Sequence, residues 1–173
     1  MMAFILEKNI IKICNDFAEQ CCPTNKDEYA SRNQTNIDKI KKDIRIGKMA
    51  EFAVFYILKE KGLENLTPPD LKIYKKNEKS FDADLKCDGY KIHVKSQDLE
   101  SARAWGDSWT FQKEDPLFKK ITDQDHFIGV KVDEKNNKIE IMLSRKIKDL
   151  VFAPPVLEKL RPFKTCVYLK DNR

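Results

Sequence analysis

The stretch Phe81-Asp-Ala-Asp-Leu-Lys-Cys-Asp-Gly-Tyr-Lys-Ile-His-Val-Lys-Ser-Gln97 decides how this chain is read. Asp88-Gly89 lies between two strand-like runs and is a strong hairpin signal, because both turn positions need φ > 0 and Gly adopts that at no steric cost. A two-residue turn there sets the register by counting outward. Cys87 faces Tyr90, Asp84 faces His93, and Asp82 faces Lys95. Side chains alternate between the faces of a strand. Asp82, Asp84 and Lys86 therefore share one face with His93, Lys95 and Gln97, while Leu85, Ile92 and Val94 point to the other, buried face. Carboxylates, an imidazole and a lysine on one rigid ribbon form a group able to bind a divalent cation and act on a phosphate.

Working outward, a helical pattern runs from about Asn36 to Lys61 and stops at Gly62, a plausible C-cap. Positions 37, 40, 44, 47, 51, 54 and 58 lie on one stripe of it. Ile37, Ile40, Ile44, Val54 and Leu58 are apolar; the exceptions are Gly47 and Glu51. A carboxylate on a core-facing stripe is costly unless it is paired with a base or bound to a cation. Gly47 would let the helix backbone approach the sheet closely. Before this helix, residues 3 to 20 have helical spacing, and 21 to 34 read as a loop rich in Pro, Thr, Asn, Ser and Asp. Leu71 to Tyr74 reads as a strand. His126–Val132 and Ile139–Leu143 read as a second hairpin turning at Asn136-Asn137. Ser144 is placed to cap a short helix from Arg145 to Val151, and Cys166–Leu169 reads as a last strand. Residues 98 to 125 have no clean period.

These elements predict an α/β fold with a mixed central β-sheet flanked by α-helices. The 173 residues suit one domain: an N-terminal helix and loop over 1–34, a catalytic core over 35–145, and a C-terminal helix and strand over 146–173. The hydrophobic share of 41% and charged share of 35% describe a globular chain with a very polar surface. A net charge of +5 permits contact with nucleic acid without requiring it. No run is apolar enough to span a bilayer, and Phe4-Ile5-Leu6 is too short for a signal-peptide core. The five cysteines are odd in number and lack C-x-x-C spacing, which fits a reducing, cytosolic setting and indicates neither a zinc site nor a disulfide framework.

The hairpin resembles the active site of the PD-(D/E)XK nucleases, the restriction-endonuclease-like superfamily, over roughly residues 36 to 145. Asp84 matches the first Asp of the motif, and Val94 and Lys95 match its end. His93 stands where the family usually has Asp or Glu. Asp70, after Pro68-Pro69, offers a second alignment as the Asp, but it lies far before His93, whereas Asp84 sits directly across the hairpin. The resemblance implies a restriction-endonuclease-like core and a Mg²⁺-dependent DNA endonuclease of restriction, phage or homing type, leaving 5′-phosphates. It implies that Asp84, Glu51 and the carbonyl oxygen of Val94 hold the metal and that Lys95 assists the attacking water. It further implies double-stranded DNA as partner, a homodimer, and a prokaryotic or phage-encoded cytoplasmic protein.

Mg²⁺ prefers oxygen ligands and keeps several waters. Imidazole is a poorer partner for so hard a cation, so His93 reads as a ligand to Mn²⁺, as a general base near neutrality, or as the mark of a site that binds DNA without cutting. That last possibility is the alternative reading: a catalytically inactive nucleic-acid-binding protein on the same fold. Asp82 and Gln97 are auxiliary candidates, Asp82 opposite Lys95 and Gln97 on the same face. Lys42, Arg45 and Lys48 belong to a basic stretch that would suit phosphates. Trp105 and Trp109 could stack on bases, with Arg103 and Lys113 beside them for the backbone.

Overall fold

The structure, a computed structural model, describes residues 2–30, 34–74 and 83–173, and for 25–28 the backbone alone. Phe81 and Asp82 lie outside the described residues. In chain order the elements are β1 (Met2–Ile5), α1 (Lys8–Ala30), α2 (Ile37–Glu60), β2 (Leu85–Cys87), β3 (Tyr90–Asp98), α3 (Leu99–Trp105), β4 (Ser108–Gln112), β5 (Asp125–Asp133), β6 (Lys138–Lys146), β7 (Phe152–Ala153) and β8 (Lys164–Tyr168), with short 3₁₀ turns between some of them.

Asp88 and Gly89 take φ of 48° and 84°. These are the left-handed conformations of a type I′ turn, whose twist matches the flanking strands. β2 and β3 pair in the expected register, Leu85 with Ile92, Lys86 with Lys91 and Cys87 with Tyr90. The second hairpin forms as read, β5 against β6, with Asn137 at φ 50° in its turn. β3 then joins β5 in parallel, placing His93 beside Phe127 and Lys95 beside Gly129. The main sheet has the order β1-β6-β5-β3-β2 and is mixed. The fold is α/β, with three α-helices among the described residues.

α2 forms where its sequence pattern puts it. The Asn36 side chain accepts the Lys39 N–H at its start, and Gly62 takes φ 87° just past its end. It lies between α1 and the sheet, so Ile46, Met49, Ala50, Ala53, Val54 and Ile57 are all buried. Leu85, Ile92 and Val94 pack against them with Ile128, Val130 and Val132. Gly47 is not a point of close approach, because a Cβ there would meet nothing within 4 Å.

Several local expectations change. Residues 21–30 are not a loop; they continue α1 through Pro23. Proline removes one helical hydrogen bond, yet Ile10, Cys14, Ala18 and Cys21 recur at helical spacing and bury one face of α1, which outweighs the break. Residues 2–5 pair with β6 as an edge strand instead of starting the helix. Residues 71–74 form no strand. The helix expected from Arg145 is the end of β6 followed by one 3₁₀ turn at Ile147–Asp149.

The unpatterned region after residue 98 supplies α3 and β4. β4, β8 and β7 form a second, three-stranded antiparallel sheet. Trp109, Phe111 and Val167 from this sheet meet Phe127 and Leu143 from the main sheet in a second core. The face of β3 carrying His93 and Lys95 is therefore partly covered, not open. No helix among the described residues is long and apolar enough to cross a membrane.

Candidate active site

β2 stops at Leu85, one residue short of Asp84. In a regular ladder the Val94 N–H would bond the strand opposite; here it donates to Asp84 Oδ2 at 2.7 Å. The carboxylate thus takes over the edge of β3 where the hairpin opens. The N–H and C=O of one strand residue point the same way, so the Val94 carbonyl also faces the Asp84 side.

Glu51 approaches this edge from α2. Burial pushes its carboxyl up to about 8, and the nearby Asp84 charge adds to the rise against the pull of Lys48. The Asp84 charge is thus felt at Glu51 across two elements, although the buried face of α2 is turned from the expected stripe, of which Ile37, Ile44 and Leu58 are only half-buried. Lys48 is the residue the sequence reading misplaced. It is only 8% exposed and donates to Glu51 Oε2 at 2.6 Å and to the Asp70 carbonyl at 2.8 Å. Its ammonium also lies 4.7 Å from the Phe17 ring centre. It is an internal hydrogen-bond partner of Glu51 and not an open phosphate contact. Asp70, set aside as a motif residue, comes near through this lysine, while its own carboxylate accepts from Lys72 N–H and Tyr74 O–H. Cys14 borders the same spot; burial, then the Glu51 charge, pushes its thiol up to about 12, which keeps it protonated and unreactive.

His93 goes elsewhere. It is 9% exposed, and its Nε2 lies 3.1 Å from Asp125 Oδ1. Asp125 also accepts from the N–H and hydroxyl of Thr122 at 2.8 and 2.6 Å. Burial would raise the Asp125 carboxyl, but the Thr122 and His93 hydrogen bonds outweigh it and hold the group below its ordinary value. Asp125 is the partner that sequence reasoning missed; its only sequence signal was its position at the head of a strand. Among the described residues no cluster of three or more His, Cys, Asp or Glu side chains is arranged to hold a metal ion.

Lys95 lies on the second-sheet side of β3, its ammonium 5.1 Å from the Phe111 ring centre. There it lines a cleft of about 850 Å³ between the end of β3, α3 and the small sheet. Glu51 and Asp84 are not among the residues lining that cleft. Gln97 is not a free contact residue: its amide accepts the Ser108 N–H at 2.9 Å and donates to the Gly106 carbonyl at 2.9 Å, pinning the α3–β4 turn.

The basic stretch on α2 is largely consumed by ion pairs. Lys42 sits 3.3 Å from Glu134 and within 4 Å of Asp98 and Glu100, and Arg45 pairs with Glu134. These tie α2 to α3 and to the β5–β6 turn. Trp109 does not reach solvent. It is 1% exposed, donates its indole N–H to the Val130 carbonyl at 3.0 Å and packs edge-on to Phe127. Trp105, Arg103 and Lys113 are exposed. No family model, no curated protein and no solved structure matches the chain.

Proposed function

We propose that this chain is a metal-dependent endonuclease acting on double-stranded DNA through a restriction-endonuclease-like core. The observation that carries the reading is the Asp84 carboxylate at the opened edge of β3, bonded to the Val94 N–H and near enough for its charge to raise the buried Glu51 carboxyl. Burying one carboxylate against another is costly, and a divalent cation between them would offset that cost. The donors suit a hard cation: two carboxylates and a peptide carbonyl, the oxygen set that Mg²⁺ accepts while keeping waters. A bound Mg²⁺ or Mn²⁺ would supply an acidified water and neutralise phosphate charge.

The chain's own residues do the rest. The Val94 N–H fixes the Asp84 carboxylate in one orientation. Lys48 holds Glu51 through Oε2. Lys95, the residue after Val94, carries a positive charge into the cleft on the second-sheet side of β3, where it can offset charge developing on a phosphate.

The second reading, a nucleic-acid-binding protein without activity, is favoured by one observation: His93 replaces the usual acid and turns to Asp125. Incubation of supercoiled plasmid and linear duplex with Mg²⁺ or Mn²⁺, with and without chelator, separates the two. Metal-dependent nicking that disappears in Lys95→Ala, with the fold retained, supports the nuclease. DNA binding with no cutting in either metal supports the second reading.

A further inference from the structure

The chain has two tryptophans. One, Trp109, is sealed in the second core, and the other, Trp105, is 44% exposed at the end of α3. Trp105 lines the 850 Å³ cleft, and so does Phe163, which is 58% exposed just before β8. Two large aromatic side chains left open along one cleft have bare ring faces to offer. The same cleft is lined by Lys95 and, from the segment before β8, Lys159. The carboxylates on its walls are engaged by the protein itself. Asp43 is bound by Lys39 at 2.6 Å, Asp98 accepts the Ser101 N–H and hydroxyl, and Asp115 accepts the Leu117 N–H. The cleft therefore combines ring faces with ammonium groups, while its negative charges are turned to internal donors.

We infer that this cleft binds an unpaired stretch of nucleic acid, with bases stacked on Trp105 and Phe163 and the phosphate backbone near Lys95 and Lys159. Aromatic platforms alternating with basic groups are how single strands are held without sequence preference. A closed duplex keeps its bases stacked on one another and offers no free face to either ring. An acidic peptide would satisfy the lysines but would leave both rings without a flat partner. The cleft volume is near the upper end of the usual range for small-ligand sites, about 300–1,000 Å³, so it suits a short segment and not a long groove. This inference rests on the nuclease reading for its biological sense, since Lys95 belongs to both sites. It adds that the substrate is presented there as a frayed or single-stranded segment.

The test is binding of a fluorescently labelled oligothymidylate, and of a blunt duplex of equal length, to the full chain in chelator, where no cutting occurs. The single strand is expected to bind more tightly than the duplex and to quench the exposed tryptophan. Trp105→Ala and Phe163→Ala are each expected to weaken single-strand binding by about fivefold or more, as loss of one stacked base does. Trp105→Phe, which keeps a ring face, is expected to retain it. Both positions are exposed, and an unchanged circular dichroism spectrum shows that each variant folds. Duplex binding equal to or tighter than the single strand, no binding of either, or indifference to both alanine substitutions overturns the inference. Metal-dependent duplex cleavage is scored separately. A chain that cuts duplex but ignores the single strand loses this cleft proposal alone, and one that binds the single strand but never cuts loses the nuclease reading alone.

Discussion

The Asp84 carboxylate accepts the Val94 N–H at 2.7 Å, where the ladder between β2 and β3 would otherwise continue. One side chain closes the strand edge, and its charge helps to raise the Glu51 carboxyl. This gives a separable prediction. Asp84→Asn keeps an acceptor for Val94 and should fold with nearly unchanged stability while losing metal-dependent cutting. Asp84→Ala should lose cutting and also about 1.5–3 kcal/mol, the usual scale for a hydrogen bond to a charged group. Urea unfolding of both variants beside plasmid nicking checks it. Equal stability of the two variants would remove the structural half of the claim.

Glu51 sets a pH dependence whose sign can be worked out. Its carboxyl is raised from 4.5 to about 8 by burial and by Asp84. The folded state therefore holds the proton more tightly than the unfolded chain. Stability from this group is fully present below about pH 4.5 and is lost as pH rises through about 8. One pKa unit is about 1.4 kcal/mol, so the loss across this window is a few kcal/mol. Glu51→Gln should abolish cutting but raise the melting temperature at pH 9 relative to wild type, with little difference at pH 4. Mg²⁺ should narrow the wild-type loss at high pH and leave the variant unmoved. A variant less stable than wild type at pH 9 would sink this account.

The hairpin was legible because its information is local: a two-residue turn, period-2 alternation and a cap at each end of α2 all sit within a few residues of what they control. Glu51 was legible for the same reason, as a charge on an apolar stripe. Lys48 was not, because the Asp70 carbonyl that receives it is 22 residues away, in the unpatterned segment after α2. His93 and Asp125 are 32 residues apart and meet only through the parallel pairing of β3 with β5. Of the small sheet only β8 was legible, as the strand read at Cys166–Leu169; β4 and β7 escaped because they are short and distant in sequence, so no alternation lasts long enough to stand out. Trp109 looked like a surface aromatic among polar neighbours, since β4 buries only Trp109 and Phe111.

Gly129 records how tightly that second sheet docks. A Cβ built there would lie 2.7 Å from Trp109 Cε2. The indole cannot retreat easily, because its N–H is bonded to the Val130 carbonyl beside a register shift in β5. Glycine inside a strand often marks such close approach. Gly129→Ala should destabilise the chain by about 1–3 kcal/mol through overpacking, read as a lower urea midpoint. Its effect should shrink in the background of Trp109→Phe, which makes room; independent, additive losses would show that the contact is not the cause.

The His93–Asp125 pair yields the last prediction, and it bears on what the histidine is for. Asp125 is buried, and its carboxyl is held below the ordinary 3.8, burial being outweighed by hydrogen bonds from Thr122 and His93. A depressed folded pKa contributes stability that is present above the unfolded value and lost as pH falls through the folded one. His93→Ala should therefore weaken the fold by about 1–3 kcal/mol near neutrality, by leaving Asp125 short of a partner, with a smaller difference from wild type below pH 3. His93→Gln places an amide donor near the position of Nε2 and should restore most of the stability. If the ring serves to tie β3 to the start of β5, His93→Gln also keeps metal-dependent cutting within about tenfold, a barrier change of about 1.4 kcal/mol. Cutting abolished in a fully folded His93→Gln would instead make the imidazole a participant in the chemistry, with Asp125 as the group that orients it.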